Sequence, residues 1–246
     1  MSLLTNLVSY WKLDESSGNA ADAHGSNTLT NNNTTPFAAG MLNNGADFEA
    51  GSSQSFSLAD ASQSGLDLST ALSFSMWVKL ESAPGTQYQL INKLSQPANE
   101  SYFFAYRTAG GTAHLRLSVD ETGLGILQDI YAVNQTLNNG QWYHLAVTWD
   151  GPTMTAKLYV DGAQIGSDQT NSQSDAIYNG AAAFGLGTPL VEGFDGMMDE
   201  VGVWSRVLTA AEVAALYNSG TPAAYADFGS LPVTGPAASR RTVNAA

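Results

Sequence analysis

Gly196-Met-Met-Asp-Glu-Val-Gly-Val-Trp-Ser-Arg-Val-Leu-Thr-Ala-Ala-Glu-Val-Ala-Ala-Leu-Tyr-Asn-Ser-Gly220 joins a strand to the one well-marked helix of the chain. Val201 and Val203 alternate with Glu200, Gly202 and Trp204, a period of two that predicts a strand with one buried face. The helix that follows carries its own start signal. Thr209 is a good N-cap, Glu212 three residues on completes a capping box, and Leu208 and Val213 occupy the two hydrophobic positions that bracket such a cap. Val213, Leu216 and Tyr217 make one apolar face, and Gly220 with Pro222 ends the element.

The remainder of the 246 residues suits one large all-β domain. A chain of this size buries enough surface to fold without staples, and with no cysteine it has none. Disulfides, thiolate metal sites and a cysteine nucleophile are thereby excluded. The 22 acidic and 9 basic residues leave a net charge of −13, which opposes binding to nucleic acid or an anionic membrane and suits cations and neutral partners. Abundant glycine, with aromatic and β-branched runs, points to short strands linked by tight turns.

Leu7 to Glu15 reads as a first strand, followed by a polar loop from Ser16 to Asn33. Gly45 to Phe48 and Gln54 to Leu58 resume the strand pattern. Leu72 to Leu80 alternates cleanly, with Phe74, Met76 and Val78 on one face and Trp77 on the other. Tyr88 to Lys93, Tyr102 to Arg107 and His114 to Val119 continue the series. In Gln141 to Gly151, Tyr143, Leu145, Val147 and Trp149 share a side. Ala156 to Val160 runs into Asp161-Gly162, a strong two-residue hairpin signal, and Ile177 to Gly187 is a small-residue strand region. From Gly229 to Ala246 the periodicity is gone; Pro232, Pro236, small residues and Arg240-Arg241 read as a flexible tail.

Three separated blocks, in order, resemble laminin G-like domains of the concanavalin A-like lectin/glucanase superfamily over about residues 5 to 220. The first holds Tyr10, Trp11, Asp14, Glu15, Asp22, Gly25, Asn27, Gly45 and Phe48; the second is Trp142-Tyr-His-Leu-Ala-Val-Thr-Trp-Asp-Gly151 followed by Leu158-Tyr-Val-Asp-Gly162; the third is the stretch quoted at the start. The resemblance implies an all-β fold, a concanavalin A-like jelly-roll sandwich of two antiparallel sheets with one short C-terminal helix. Residues 1–228 then form the domain and residues 229–246 the tail.

Calcium takes six to eight oxygen ligands, so carboxylates, amide oxygens and carbonyls on glycine-containing loops suit it. The resemblance implies a structural calcium tying the loop after the first strand to the last strand. Asp22 and Asp199 would be its side-chain ligands, with Gly25 and Asn27 supplying further oxygens and Asp195 or Glu200 able to join. The family also implies lectin-like recognition. Tyr88, Tyr102, Tyr106, Tyr131 and Trp77 are candidates to stack on a sugar, flanked by Asn92, Asn99 and Asn134, although aromatics in strands more often pack.

Catalysis is less favoured. A glycosidase needs two carboxylates converging across the scissile bond. The acidic pairs Asp14-Glu15, Asp120-Glu121 and Asp199-Glu200 are adjacent, so in regular strands their members point to opposite faces. His114 and His144 sit in strand patterns, with no nucleophile elbow to serve. The expected function is a non-catalytic adhesion module recognising glycan or protein at a surface. The alternative is a phage virion decoration or tail protein whose C-terminal tail docks on the particle, and a glycoside hydrolase comes behind both. The first residues carry no secretory signal, and no run is long enough to insert in a membrane. Synthesis in the cytoplasm is expected, with a final place on a virion surface or outside the cell by a non-classical route.

Overall fold

The computed structural model of the chain describes residues 1–95, 99–122, 129–171, 175–188 and 192–231. Two antiparallel sheets face each other across one core, as expected of a jelly roll. The first sheet runs, edge to edge, β13 (Ala163–Thr170), β12 (Thr155–Val160), β11 (Trp142–Asp150), β6 (Ala71–Leu80), β15 (Gly196–Trp204), β4 (Asn44–Phe48) and β3 (Phe37–Ala39), with β1 (Leu7–Trp11) also pairing with β15. The second runs β10 (Asp129–Asn134), β9 (Thr112–Val119), β8 (Glu100–Ala109), β7 (Gln87–Leu94), β14 (Phe184–Leu186), β5 (Ser55–Leu58) and β2 (Thr30–Asn32).

Alternation in each strand fills the space between the sheets. Phe74, Met76 and Val78 of β6, Tyr143, Leu145, Val147 and Trp149 of β11, and Leu115, Leu117 and Val119 of β9 all enter one core. Trp11 stacks on Phe184 with ring centroids 5.2 Å apart, bridging β1 to the opposite sheet. Buried rings with polar tips find partners. Tyr102 donates to the Leu66 carbonyl at 2.8 Å, and Trp149 donates to the Tyr131 hydroxyl at 3.0 Å. The predicted Asp161-Gly162 hairpin joins β12 to β13, both turn residues adopting positive φ, 50° and 76°.

The outer face of the first sheet is covered by α1 (Ala210–Tyr217) and the segment after it. Leu208, Val213, Leu216, Ala223 and Phe228 pack there on Leu3, Leu7, Tyr10, Ala146, Tyr159 and Trp204. The capping box predicted at Thr209 and Glu212 forms, and Arg206 grips Glu212 at 2.7 Å. The helix ends at Asn218, in the left-handed region, earlier than Gly220 and Pro222 suggest. The Phe228 carbonyl receives the Leu3 amide at 3.3 Å, so both ends of the described chain meet on this face. Leu231 still packs against it, and the remainder of the expected tail, 232–246, lies outside the described residues.

Candidate functional site

The loop after β1 gathers three of the four expected calcium ligands, and it does so through hydrogen bonds. Asp22 Oδ1 accepts from the amides of Tyr10, His24 and Gly25 at 2.9–3.0 Å, while Oδ2 accepts from the Asn27 amide at 2.9 Å. Asn27 is also engaged: its Nδ2 donates to Ser9 and to the Ser64 carbonyl, its Oδ1 receives the Ser64 amide, and its carbonyl receives the Trp11 indole. Gly25 is pressed so close that a Cβ would lie 2.7 Å from the Val8 carbonyl oxygen. Asp22 thus organises a turn with its carboxylate accepting four N–H groups.

Asp199 joins a different set. Strand β15 pairs with β4 through Met198 and with β1 from Val201 onward, so Asp199 and Glu200 sit where one neighbour leaves and the other begins. The register with β6 shifts between Asp199 and Gly202, and Glu200 has φ of 52°, the signature of a bulge. Met198 and Val201 both enter the core across this bulge. The adjacent carboxylates therefore do not take opposite faces as regular alternation requires; both reach the outer side. Asp199 Oδ2 accepts the Met41 and Leu42 amides at 2.7 and 2.9 Å, and Glu200 accepts the Tyr10 hydroxyl.

Each carboxylate keeps one buried oxygen, Asp199 Oδ1 and Glu200 Oε1, without a hydrogen-bond partner. Burial, aided by the charges of Glu200 and Asp14, raises Asp199 to a pKa of about 8, against the pull of the loop amides. Burial likewise raises Glu200 to about 7, with Asp14 adding and the Tyr10 hydroxyl opposing. A crevice of about 210 Å³, lined by Lys12, Asp14, Leu42, Asn43, Glu200 and Tyr225, opens beside them. Asp199 and Glu200 each offer one unpartnered oxygen, while Asp14 is paired with Lys12 at 3.1 Å and the three carboxylates do not converge within 4.8 Å of one another. A second acidic group joins half-buried Asp47 to exposed Glu49 and Glu81, with ligand oxygens within 4.8 Å of one another, the one such trio among the described residues.

The aromatic candidates for sugar stacking are inside. Tyr88, Tyr102, Tyr106 and Tyr131 belong to the core, and Trp77 lies under α1, stacked on Tyr217 at 5.7 Å. Asn99 forms a turn with φ of 67°, and Asn134 is exposed at the end of β10.

The outer face of the second sheet carries the polar set that the sequence patterns concealed. Pairing aligns Asn92 with Phe103 and Ser118, Gln89 with Ala105 and Arg116, and Gln87 with Arg107 and His114. Phe103 is the aromatic of this face, buried with Leu94 and Ala105 and with the Arg116 guanidinium 5.1 Å from its centroid. Gln89 Oε1, Asn92 Nδ2, Arg116 Nε and Ser118 Oγ are buried and have no hydrogen-bond partner. Thr188 Oγ1 is also unpartnered and sits against Gly185, where a Cβ would approach it to 2.2 Å. Buried polar atoms are normally satisfied, so five orphans on one side of one sheet mark a place built for added partners.

A family model described as the concanavalin A-like lectin/glucanases superfamily, of laminin G type, matches residues 50–214. The chain belongs to this family. A segment of 92 residues is 29% identical to the Sushi, von Willebrand factor type A, EGF and pentraxin domain-containing protein 1 of Rattus norvegicus, taking in 34% of this chain and 3% of that protein. The laminin G-type chain thus spans a small fraction of that relative. Among solved structures, domain 4 of AbnA, a GH43 extracellular arabinanase from Geobacillus stearothermophilus in complex with arabinotriose, aligns with a TM-score of 0.65 and 22% identity, covering 86% of this chain and 98% of that one. Trypanosoma rangeli sialidase aligns with a TM-score of 0.63 and 15% identity over 87% of this chain and 33% of the sialidase. At these identities the likeness is one of fold.

Proposed function

We propose that this laminin G-type domain is a non-catalytic, lectin-like module that recognises glycan on the outer face of its second sheet. The observation that carries the reading is the orphaned amide, hydroxyl and guanidinium atoms around Phe103. Sugar hydroxyls both donate and accept, so they complement such a mixture. The arabinotriose complex of the AbnA domain supports the same reading by likeness of fold. Catalysis is disfavoured because Asp199 is fully buried and half occupied by loop amides, which leaves no free acid and base across a cleft there. A broad glycan array, probed with the intact chain in calcium, tests the reading. Binding that weakens in Asn92→Ala supports it; silence across the array removes it.

The same proposal includes a structural calcium at Asp199 and Glu200 in place of the Asp22 turn. Its support is the pair of buried, unpartnered carboxylate oxygens. A divalent cation there would neutralise repelling charges and tie β1, β15 and the loop before β4 together. Calcium should raise the thermal midpoint and a chelator reverse it, with Asp199→Asn abolishing the response. An unchanged midpoint would leave the site without a metal.

A further inference from the structure

At the edge of the sandwich opposite β13 and β10, the chain leaves the second sheet at β2, turns, and enters the first at β3. The geometry points to a second saccharide site there, separate from the outer face of the second sheet: a solvent-open hollow that takes one neutral sugar unit by its hydroxyls.

The hollow holds about 380 Å³, inside the range of roughly 300–1,000 Å³ that small-ligand clefts span. One wall is the loop after β1, with Ser16, Ser17 and Asn19; the other is the turn between β2 and β3, with Thr34 and Pro36. Asn31 fastens the two walls together. Its Nδ2 donates to the Gly18 and Thr35 carbonyls at 2.9 and 2.8 Å, its Oδ1 accepts the Thr35 amide at 2.7 Å, and its own amide donates to Asn19 Oδ1 at 3.1 Å. Walls tied in this way are shaped before a ligand arrives, so binding loses little to ordering them.

The lining sets the class of ligand. Ser16, Ser17, Asn19 and Thr34 are exposed, and among the described residues their hydroxyls and the Asn19 Nδ2 donate to no protein acceptor. No charged residue is among those that line the hollow, so an ionic ligand meets no counter-charge there, and the net charge of −13 repels anions from it. Hydroxyls and amides that both donate and accept match the hydroxyls of a neutral sugar, and Pro36 gives its C–H groups a small apolar surface. The turn adds a second observation. Asn33 and Thr34 both adopt positive φ, 57° and 54°. Asn tolerates that region, whereas a β-branched residue there is strained, and glycine is the usual occupant of such a turn position. Threonine in this place puts a hydroxyl on the hollow at a cost in stability, and strain of this kind concentrates at binding sites.

Titration of the intact, isotope-labelled chain with arabinotriose, cellotriose and lactose, followed by backbone amide NMR, tests the site. At least one of these neutral sugars should shift the Ser17, Asn19 and Thr34 amides along a saturating curve. Thr34→Gly relieves the positive φ, so it should raise the denaturation midpoint while weakening that binding about fivefold, the worth of one hydrogen bond. Ser17→Trp, a change at an exposed loop position, fills the hollow and should abolish the shifts. Still amides with all three sugars, or undiminished affinity in both variants, overturns the inference. Asn92→Ala keeps this site apart from the outer face of the second sheet. Shifts at the hollow that survive in Asn92→Ala support a separate site whatever becomes of the outer-face reading, and shifts that vanish with it overturn the separate site.

Discussion

Asp199 shows how much of this protein is decided by single atoms. Its neighbouring loop can approach only because residue 40 is glycine, where a Cβ would lie 2.6 Å from Asp199 Oδ2 and 2.5 Å from the Asn44 carbonyl. Gly40→Ala should therefore lower stability by on the order of 1–3 kcal/mol in chemical denaturation and weaken the calcium response with it. The carboxylates also set a pH dependence. Folded pKa values of about 8 for Asp199 and about 7 for Glu200 lie above the ordinary 3.8 and 4.5, so between these limits the folded state binds more protons than the unfolded. Without metal, their contribution to stability falls as pH rises from about 4 to 8, and Asp199→Asn should flatten that fall. His144 acts with the opposite sign. Buried against Ser75 and Trp77, it is lowered by desolvation from 6.5 to about 3, so it adds stability as pH rises through that window. Denaturation curves of His144→Gln should show a shallower gain from pH 4 to 6.5; an identical slope would exclude the histidine as its source.

At the scale of elements, β15 and α1 illustrate what pattern can and cannot convey. The helix was legible because its signals are local: Thr209, Glu212, Leu208 and Val213 lie within six residues and act on one another. Thr209→Ala removes the cap and should cost about 1 kcal/mol, read as a shift in the denaturation midpoint; no shift would mean that Arg206 and Glu212 suffice. Core strands β6, β9 and β11 were legible for the same reason, since alternation is written residue by residue. The bulge at Glu200 was not, because it depends on where β4 ends and β1 begins, two strands distant in sequence from β15. Strand β13 was missed because its residues are polar and mostly exposed, so no buried face marks it. Phe103, Arg116 and Asn92 were illegible as a group, since only the lateral pairing of β7, β8 and β9 sets them side by side. The aromatic candidates drew attention by type, while their hydroxyls served to satisfy the core.

Over the whole molecule the two sheets divide the work. The first is sealed on its outer side by α1 and the segment ending at Leu231, which also fastens the N-terminal residues, and its acidic crevice lies along that seam. The second carries unsatisfied polar atoms on its outer side, Arg116 Nε among them. A cation at the seam should therefore change stability more than affinity, while changes at Asn92 should change affinity more than stability. Side-chain amide NMR, recorded during titration with the strongest array ligand, tests this division most directly. The account predicts that the Gln89 and Asn92 side-chain signals and the Arg116 Nε signal shift on binding. Shifts confined to the Asp199 crevice, or to the hollow lined by Ser16, Asn19, Asn31 and Pro36, would contradict it.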